Sequence, residues 1–189
     1  MKRSFLKFAA AATVLALVSA CGGSDDDDDD NTPAAPGNIV EVATANGFTS
    51  LAAAATKAEL VTALSDSAAT LTVFAPTDTA FTALATQLGF ADTTAMVTAL
   101  TKEQLATILT YHVLATKVES TAIPFGTPVA TINTETITIT AGTAPVIATI
   151  ADTTTTPATI TAVDVPASNG VIHVIDKVLI PSGILPPPG

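Results

Sequence analysis

The sequence predicts an α+β domain in which helices come first and a sheet follows. Over residues 38–116, apolar side chains recur at the spacing that places them on one face of a helix. From Tyr111 onward the pattern becomes that of strands, most clearly where apolar and polar residues alternate over residues 135–140. Helices followed by strands, rather than alternating with them, indicate an α+β domain with a sheet-based core.

The helical half contains several short elements. Asn38 is a suitable N-cap for a helix that starts at Ile39, and further helical pieces are predicted over residues 50–58 and 59–64. The run Thr-Lys-Glu-Gln at residues 101–104 matches a capping box, in which the Thr and Gln side chains satisfy backbone N–H groups at a helix start. The sequence therefore predicts another helix that begins at this point.

A buried strand interrupts the helices. Residues 71–75 are rich in β-formers, and Pro76 ends the run. Either Thr77 or Asp78 can cap the helix predicted over residues 79–87, and we interpret Asp78 as the cap because a carboxylate also gains from the positive end of the helix dipole.

The second half reads as strands separated by turns. Residues 135–140 are predicted to turn isoleucines toward a core and threonines toward water, and further strands are predicted over residues 146–150 and 158–163. The pair Asn169-Gly170 is a turn signal, and Asn169 is expected to shape that turn. The strand that follows, within residues 169–181, is apolar on both faces and is therefore predicted to be central in the sheet.

The first residues predict export. Residues 1–20 have a basic start, a short apolar segment and small residues, as in a signal peptide. Residues 18–21, Val-Ser-Ala-Cys, resemble the lipobox of bacterial lipoproteins, which implies lipidation of Cys21 and anchoring to a membrane. An ordinary secretory peptide is the alternative. Because Cys21 is the only cysteine of the chain, no internal disulfide can form.

The remaining segments divide into a tether, a domain and a tail. Residues 21–37 combine six consecutive aspartates with glycine and proline, which predicts an extended acidic tether. Residues 38–181 are enough for one domain with a sizeable core, and residues 182–189 form a proline-rich tail. The aspartate run lacks the spaced ligands of a calcium loop, so we interpret it as a solvated spacer.

Composition narrows the possible partners. The formal net charge is −10, which makes nucleic acid an improbable partner. Tryptophan is absent and Tyr111 is the only tyrosine, so no aromatic platform for stacking sugars is evident. No cofactor is expected either. With two histidines and one cysteine that is predicted to be lipidated, a zinc site would need a cluster of carboxylates, and none is visible.

Three motifs together resemble the fasciclin-type (FAS1, or beta-Ig-H3) domain. They are residues 72–81 (TVFAPTDTAF), residues 111–114 (YHVL) and residues 169–181 (NGVIHVIDKVLIP). Their order and spacing agree with the family, and the resemblance covers about residues 38–181. It implies a β-wedge or sandwich with short helices packed at one end. It also implies a non-enzymatic role in adhesion at cell surfaces or in the extracellular matrix, through protein or polysaccharide binding.

The resemblance also implies which residues make adhesion contacts. The family's Tyr-His motif falls on Tyr111 and His112, and its Asp-Ile motif falls on Asp164 and Val165. At the second motif this chain has valine in place of isoleucine, and Pro166 follows.

His173 raises the question of whether the domain performs chemistry. Alternation along a strand places His173 on the same face as Val171 and Ile175, where a histidine is usually a core residue hydrogen-bonded to backbone or hydroxyl groups. A Ser-His-Asp arrangement would need His173 and Asp176 side by side, but their separation of three points them to opposite faces of a regular strand. A structural role is therefore predicted for His173.

The sequence thus predicts a lipid-anchored protein of the cell envelope, at the outer membrane or cell surface, whose FAS1 domain mediates adhesion. The alternative is a lipoprotein that faces the periplasm and binds a small molecule, peptidoglycan or another protein. A hydrolase is a remote third possibility, which would require a solvent-open cleft with a histidine beside a nucleophile.

Overall fold

The structure is a computed structural model that describes residues 36–144 and 146–184. The predicted signal segment 1–20, the lipidation site Cys21 and most of the predicted tether and tail lie outside these residues. Within the described part of the chain, no helix has the length and apolar character needed to cross a membrane.

The described residues form helices mainly in the first half and strands mainly in the second. The helices are α1 (Ile39–Ala45), α2 (Thr49–Lys57), α3 (Val61–Leu64), α4 (Asp78–Gln87), α5 (Thr93–Ala99) and α6 (Lys102–Tyr111). The strands are β1 (Leu71–Pro76), β2 (Val113–Leu114), β3 (Pro128–Ala130), β4 (Thr136–Ala141), β5 (Ala148–Ala151), β6 (Ala158–Ala167) and β7 (Gly170–Ile175). This order confirms the predicted α+β class.

The helix starts follow the capping signals with one exception. Asn38 and Thr101 both form the predicted capping boxes, with Glu41 and Gln104 respectively. Thr77, not Asp78, caps α4, because the Thr77 side chain accepts the backbone N–H of Ala80 at 3.2 Å. The interpretation of Asp78 as this cap is therefore wrong.

Asp78 instead serves the start of a different helix. Its carboxylate accepts the backbone N–H of Ser50 at 2.9 Å and a hydrogen bond from the hydroxyl of Thr49. The N-cap residue of α2 is Phe48, whose side chain cannot accept a hydrogen bond from the start of the helix. Burial raises the pKa of Asp78, but the hydrogen bonds from Thr49 and Ser50 outweigh it, so that the pKa is lowered overall. Asp78 therefore joins the starts of α2 and α4.

The strands form one seven-stranded sheet in the order β2-β1-β7-β6-β5-β4-β3. Strand β7 lies between β1 and β6, which confirms that the apolar strand is central. It runs parallel to β1 and antiparallel to β6. At the far edges, the backbone N–H of Ile132 donates to the carbonyl oxygen of Val113 at 2.8 Å, so the sheet curls almost into a closed barrel.

Two hydrophobic cores hold the helices and the curled sheet together. The helix-side core packs the helices against one face of β1 and β7, and it includes Ile39, Leu51, Phe81, Leu105 and Ile172. The sheet-side core fills the inside of the curl, and it includes Phe74, Tyr111, Ile137, Ile150 and Ile160. The buried isoleucines of β4 confirm the predicted direction of its alternating side chains.

Asn169 and Gly170 have roles that extend beyond the predicted turn. Ala167 pairs with Gly170, so the two-residue turn between β6 and β7 consists of Ser168 and Asn169. The Asn169 side chain reaches α1, where it accepts the backbone N–H of Ile39 at 2.9 Å. Its amide also donates to the backbone carbonyls of two residues at the end of α3 and just beyond it, Leu64 and Asp66.

Gly170 is the first residue of β7 rather than a turn residue. A Cβ atom at this position would lie 2.1 Å from the carbonyl oxygen of Leu71 in β1. Glycine is therefore required here because the backbones of β1 and β7 approach closely, which corrects the interpretation of Gly170 as part of the turn.

Candidate functional site

The Tyr-His pair lies inside the protein. Tyr111 is the last residue of α6 and His112 is its C-cap, and each is only 1% exposed. The Tyr111 hydroxyl donates to the carbonyl oxygen of Thr136 at 3.3 Å. The expectation that Tyr111 and His112 contact an adhesion partner is therefore corrected, because neither side chain reaches the surface.

The ring of His112 is fixed between two backbone groups. Its Nδ1 lies 2.7 Å from the carbonyl oxygen of Ile108, and its Nε2 accepts the backbone N–H of Leu179 at 2.8 Å. This pattern assigns the proton to Nδ1. Burial lowers the pKa of His112 to about 4 and raises the pKa of Tyr111 to about 12. Both side chains are therefore neutral at pH 7, and they serve packing and backbone hydrogen bonding.

His173 is also held by backbone groups. It is fully buried in β7, with its ring centroid 5.7 Å from that of Phe74 in β1. Its Nε2 donates to the carbonyl oxygen of Val118 at 2.9 Å, and its Nδ1 accepts the backbone N–H of Asp164 at 3.3 Å. Both ring nitrogens are therefore occupied by the segment after β2 and by β6, and neither faces solvent or a serine hydroxyl.

Asp164 lies at an irregular point of β6, where its side chain is exposed. Strand β6 is irregular between Ala162 and Val165, and Asp164 within this bulge has a left-handed φ of 58°. Its exposed side chain accepts the backbone N–H of Ser120 at 2.8 Å and a second hydrogen bond from the Ser120 hydroxyl. The hydrogen bond from the Ser120 side chain is the main cause that lowers the pKa of Asp164, which keeps a negative charge at the bulge.

Directly after Asp164, Val165 resumes the pairing of β6 with β7, opposite Ile172. It is half-buried and packs against the helix-side core. Packing accounts for the buried part of Val165, and the expectation that it makes an adhesion contact stays a prediction. Of the four positions expected to make contacts, Asp164 alone presents an exposed side chain.

Two concave spaces lie in the helical half. The first is a cavity of about 30 Å³ between the helices and strands β1 and β2, lined by carbon atoms of residues such as Ile39, Leu51 and Leu109. The second is a groove of about 300 Å³ between α2 and α5, lined mainly by hydroxyl-bearing side chains. Among the described residues, no group of three or more His, Cys, Asp or Glu side chains is arranged to hold a metal ion.

Comparison with known sequences identifies the family. The sequence profile of the Fasciclin domain matches residues 46–181, which is most of the chain. The chain belongs to the Fasciclin domain family. The curled sheet with helices packed against it is accordingly a FAS1 fold, as the three sequence motifs imply.

Two proteins similar to this chain come from Synechocystis sp. (strain ATCC 27184 / PCC 6803 / Kazusa). Protein sll1483 is 40% identical over 144 residues, which cover 76% of this chain and 73% of that protein. Uncharacterized protein sll1735 is 37% identical over 154 residues, which cover 76% of this chain and 97% of that protein.

Among solved structures, the chain is similar to a FAS1 domain pair from the insect cell adhesion molecule Fasciclin I. The identity is 19% and the TM-score is 0.42. The match covers 74% of this chain and 43% of that chain, so this chain spans less than half of the solved domain pair.

Proposed function

We propose that this chain is a lipid-anchored protein of the cell envelope whose Fasciclin domain mediates adhesion to the cell surface or extracellular matrix by binding protein or polysaccharide. Membership of the Fasciclin family, whose domains are generally non-enzymatic and adhesive, is the observation that carries the proposal. The lipobox-like residues 18–21 and the acidic segment that follows supply the anchor and the tether.

The contacts within the domain support a binding role over a catalytic one. The side chains with the strongest capacity for acid–base chemistry, His112 and His173, are buried and bonded to backbone groups. A general base must lie within reach of the proton that it abstracts, and neither ring meets that condition here. The exposed Asp164, fixed by Ser120 and by its bond to His173, offers a rigid charged contact for a partner.

Attachment of cells tests the adhesive function directly. Cells that produce the full chain are compared with cells that produce the same chain lacking residues 38–181, both labelled at the membrane to confirm equal amounts. We expect the deletion to reduce attachment to biofilm matrix or neighbouring cells to the level of cells without the protein. Equal attachment by the two strains would refute the adhesive function.

The anchor and its orientation need separate measurements. Growth with an alkyne-bearing fatty acid should label the wild-type protein and leave a Cys21→Ala variant unlabelled. Protease added to intact cells should then remove the domain if it faces outward from the outer membrane. A domain that is lipid-labelled but protected from protease would favour the alternative, a periplasm-facing lipoprotein that binds an envelope component.

A further inference from the structure

The groove between α2 and α5 combines apolar and hydroxyl surfaces. Methyl groups of Ala53 and Val97 line it, and Val97 is buried. The other lining residues carry hydroxyl groups, and they are Thr49, Ser50, Thr93, Thr94 and Thr98. Its volume of about 300 Å³ lies at the lower end of the range for small-molecule sites, roughly 300–1,000 Å³.

The groove offers no counter-charge to an ionic ligand. None of its lining residues, all of them within the described part of the chain, carries a charge. The nearby cation of Lys57 already donates to the carbonyl oxygens of Val97 and Thr98. The chain as a whole carries a formal charge of −10, which further disfavours an anionic partner.

The two helix starts beside the groove are also occupied. Asp78 accepts the N–H of Ser50 at the start of α2, and Asp92 accepts the N–H of Ala95 at 2.7 Å in the first turn of α5. These carboxylates take up the backbone donors that would otherwise attract an anion. An anionic ligand is therefore disfavoured, and the lining side chains themselves offer hydroxyl groups and apolar contact, which suit a neutral ligand.

Neutral sugars have this chemistry. A pyranose ring presents C–H groups on its faces and hydroxyl groups at its edge, which match the mixed methyl and hydroxyl lining of the groove. Threonine and serine hydroxyls both donate and accept, so they can pair with sugar hydroxyls in either sense. At Thr94 and Thr98, which are exposed, no side-chain hydrogen bond to another described residue occupies the hydroxyl.

We propose that the α2–α5 groove binds residues of a neutral polysaccharide. The inference rests on the proposed adhesive function, for which it names the class of ligand and the place of contact. No aromatic ring lines the described groove, so the affinity of one site is weak. Many anchored copies on one cell bind a polymer together, and their combined avidity compensates for that weakness.

Saturation-transfer NMR on the purified full chain in lipid nanodiscs tests this proposal. The probes are the neutral oligosaccharides cellohexaose, maltohexaose and mannohexaose, with hexagalacturonate as the acidic comparison. We expect saturation transfer to at least one neutral probe and none to the acidic one. A Thr94→Val/Thr98→Val double variant, which removes two hydroxyls at constant shape, should raise Kd about tenfold.

Two further variants make the result decisive. Ala53→Leu places a larger side chain in the groove and should abolish binding. Because leucine, like alanine, favours helices, α2 should remain folded. Thr140→Val removes an exposed hydroxyl from β4, away from the groove, and should leave Kd unchanged. No binding to any neutral probe, equal binding of hexagalacturonate, or equal effects of the groove and β4 variants would overturn the proposal.

The outcome also separates the groove from the adhesive function. If deletion of residues 38–181 abolishes cell attachment but the purified chain binds no neutral probe, the saccharide site is wrong and the adhesive function stands. If the purified chain binds a neutral probe but the deletion leaves attachment unchanged, the saccharide site stands and the adhesive function is wrong.

Discussion

The Nε2 atom of His112 accepts a 2.8 Å hydrogen bond from the backbone N–H of Leu179, a residue 67 positions later in the chain. This bond ties the end of α6 to the segment that follows β7. His112 can accept it only while Nε2 is unprotonated, because Nδ1 already bonds to Ile108. Protonation of Nε2 would therefore break this link between the end of α6 and the segment after β7.

Stability should fall in mild acid because of His112. Its pKa is about 4 in the folded protein and about 6.5 when exposed, so above pH 6.5 the ring is neutral in both states. As the pH falls from 6.5 toward 4, the unfolded chain binds a proton that the folded chain does not, and the free energy of unfolding decreases by up to about 3 kcal/mol. Urea denaturation at pH 7, 5.5 and 4 measures this loss.

A His112→Gln variant provides the control for the pH dependence. It should be less stable than the wild type at pH 7, because the bonds to Ile108 and Leu179 are weakened, and its stability should change less between pH 6.5 and 4. If the variant and the wild type lost stability equally over this interval, the titration of His112 would not be the cause.

Replacement of Asn169 should destabilise the contact between the β6–β7 turn and the helices. An Asn169→Ala variant leaves the N–H of Ile39 and the carbonyl oxygen of Leu64 without their partner. Each buried polar group without a partner costs about 1–3 kcal/mol, so we expect a loss of about 3 kcal/mol in urea denaturation. Ser168→Ala changes the exposed neighbour in the same turn and should cost little. Similar losses for the two variants would argue against the role of the Asn169 amide.

Gly170 should not tolerate a side chain. In a Gly170→Ala variant the new methyl group would meet the carbonyl oxygen of Leu71 at 2.1 Å and push β7 away from β1. We expect a loss of at least about 1–3 kcal/mol, measured by urea denaturation. Comparable stability of Gly170→Ala and wild type would show that β1 and β7 need no such close approach.

Asp164→Asn should weaken attachment while preserving the fold. Asparagine tolerates a left-handed φ, so the bulge in β6 is expected to persist while its negative charge is removed. We expect a several-fold decrease in the number of attached cells, with an unchanged circular dichroism spectrum. Glu103→Gln, which neutralises an exposed acid of α6, should attach as the wild type does. Normal attachment of Asp164→Asn would remove Asp164 from the contact surface.

Local sequence patterns were sufficient to predict the structural features that depend on residues close together in the chain. The capping boxes at Asn38 and Thr101 bring together groups three positions apart, and the alternation along β4 directly sets the faces of Ile137 and Ile139. The centre of the sheet could also be predicted, because only a strand covered on both faces is apolar throughout.

Features that depend on distant residues could not be predicted in this way. The partner of Asp78 lies 28 positions away at Ser50, and the partner of Asn169 lies 130 positions away at Ile39. Strand β3, only three residues long and with little burial, carries almost no alternation signal. Tyr111 and His112 are buried because the end of α6 packs against the sheet. A two-residue sequence motif does not indicate this packing.

Competition by the purified chain tests most directly whether the folded surface of the domain makes the adhesive contact. Cells that display the native protein are allowed to attach in the presence of excess purified full chain carrying Cys21→Ser, which cannot be lipidated. The folded chain should reduce attachment, in a saturable manner, to the level of cells without the protein, and the heat-unfolded chain should not. Undiminished attachment in the presence of the folded chain would contradict adhesion through this domain.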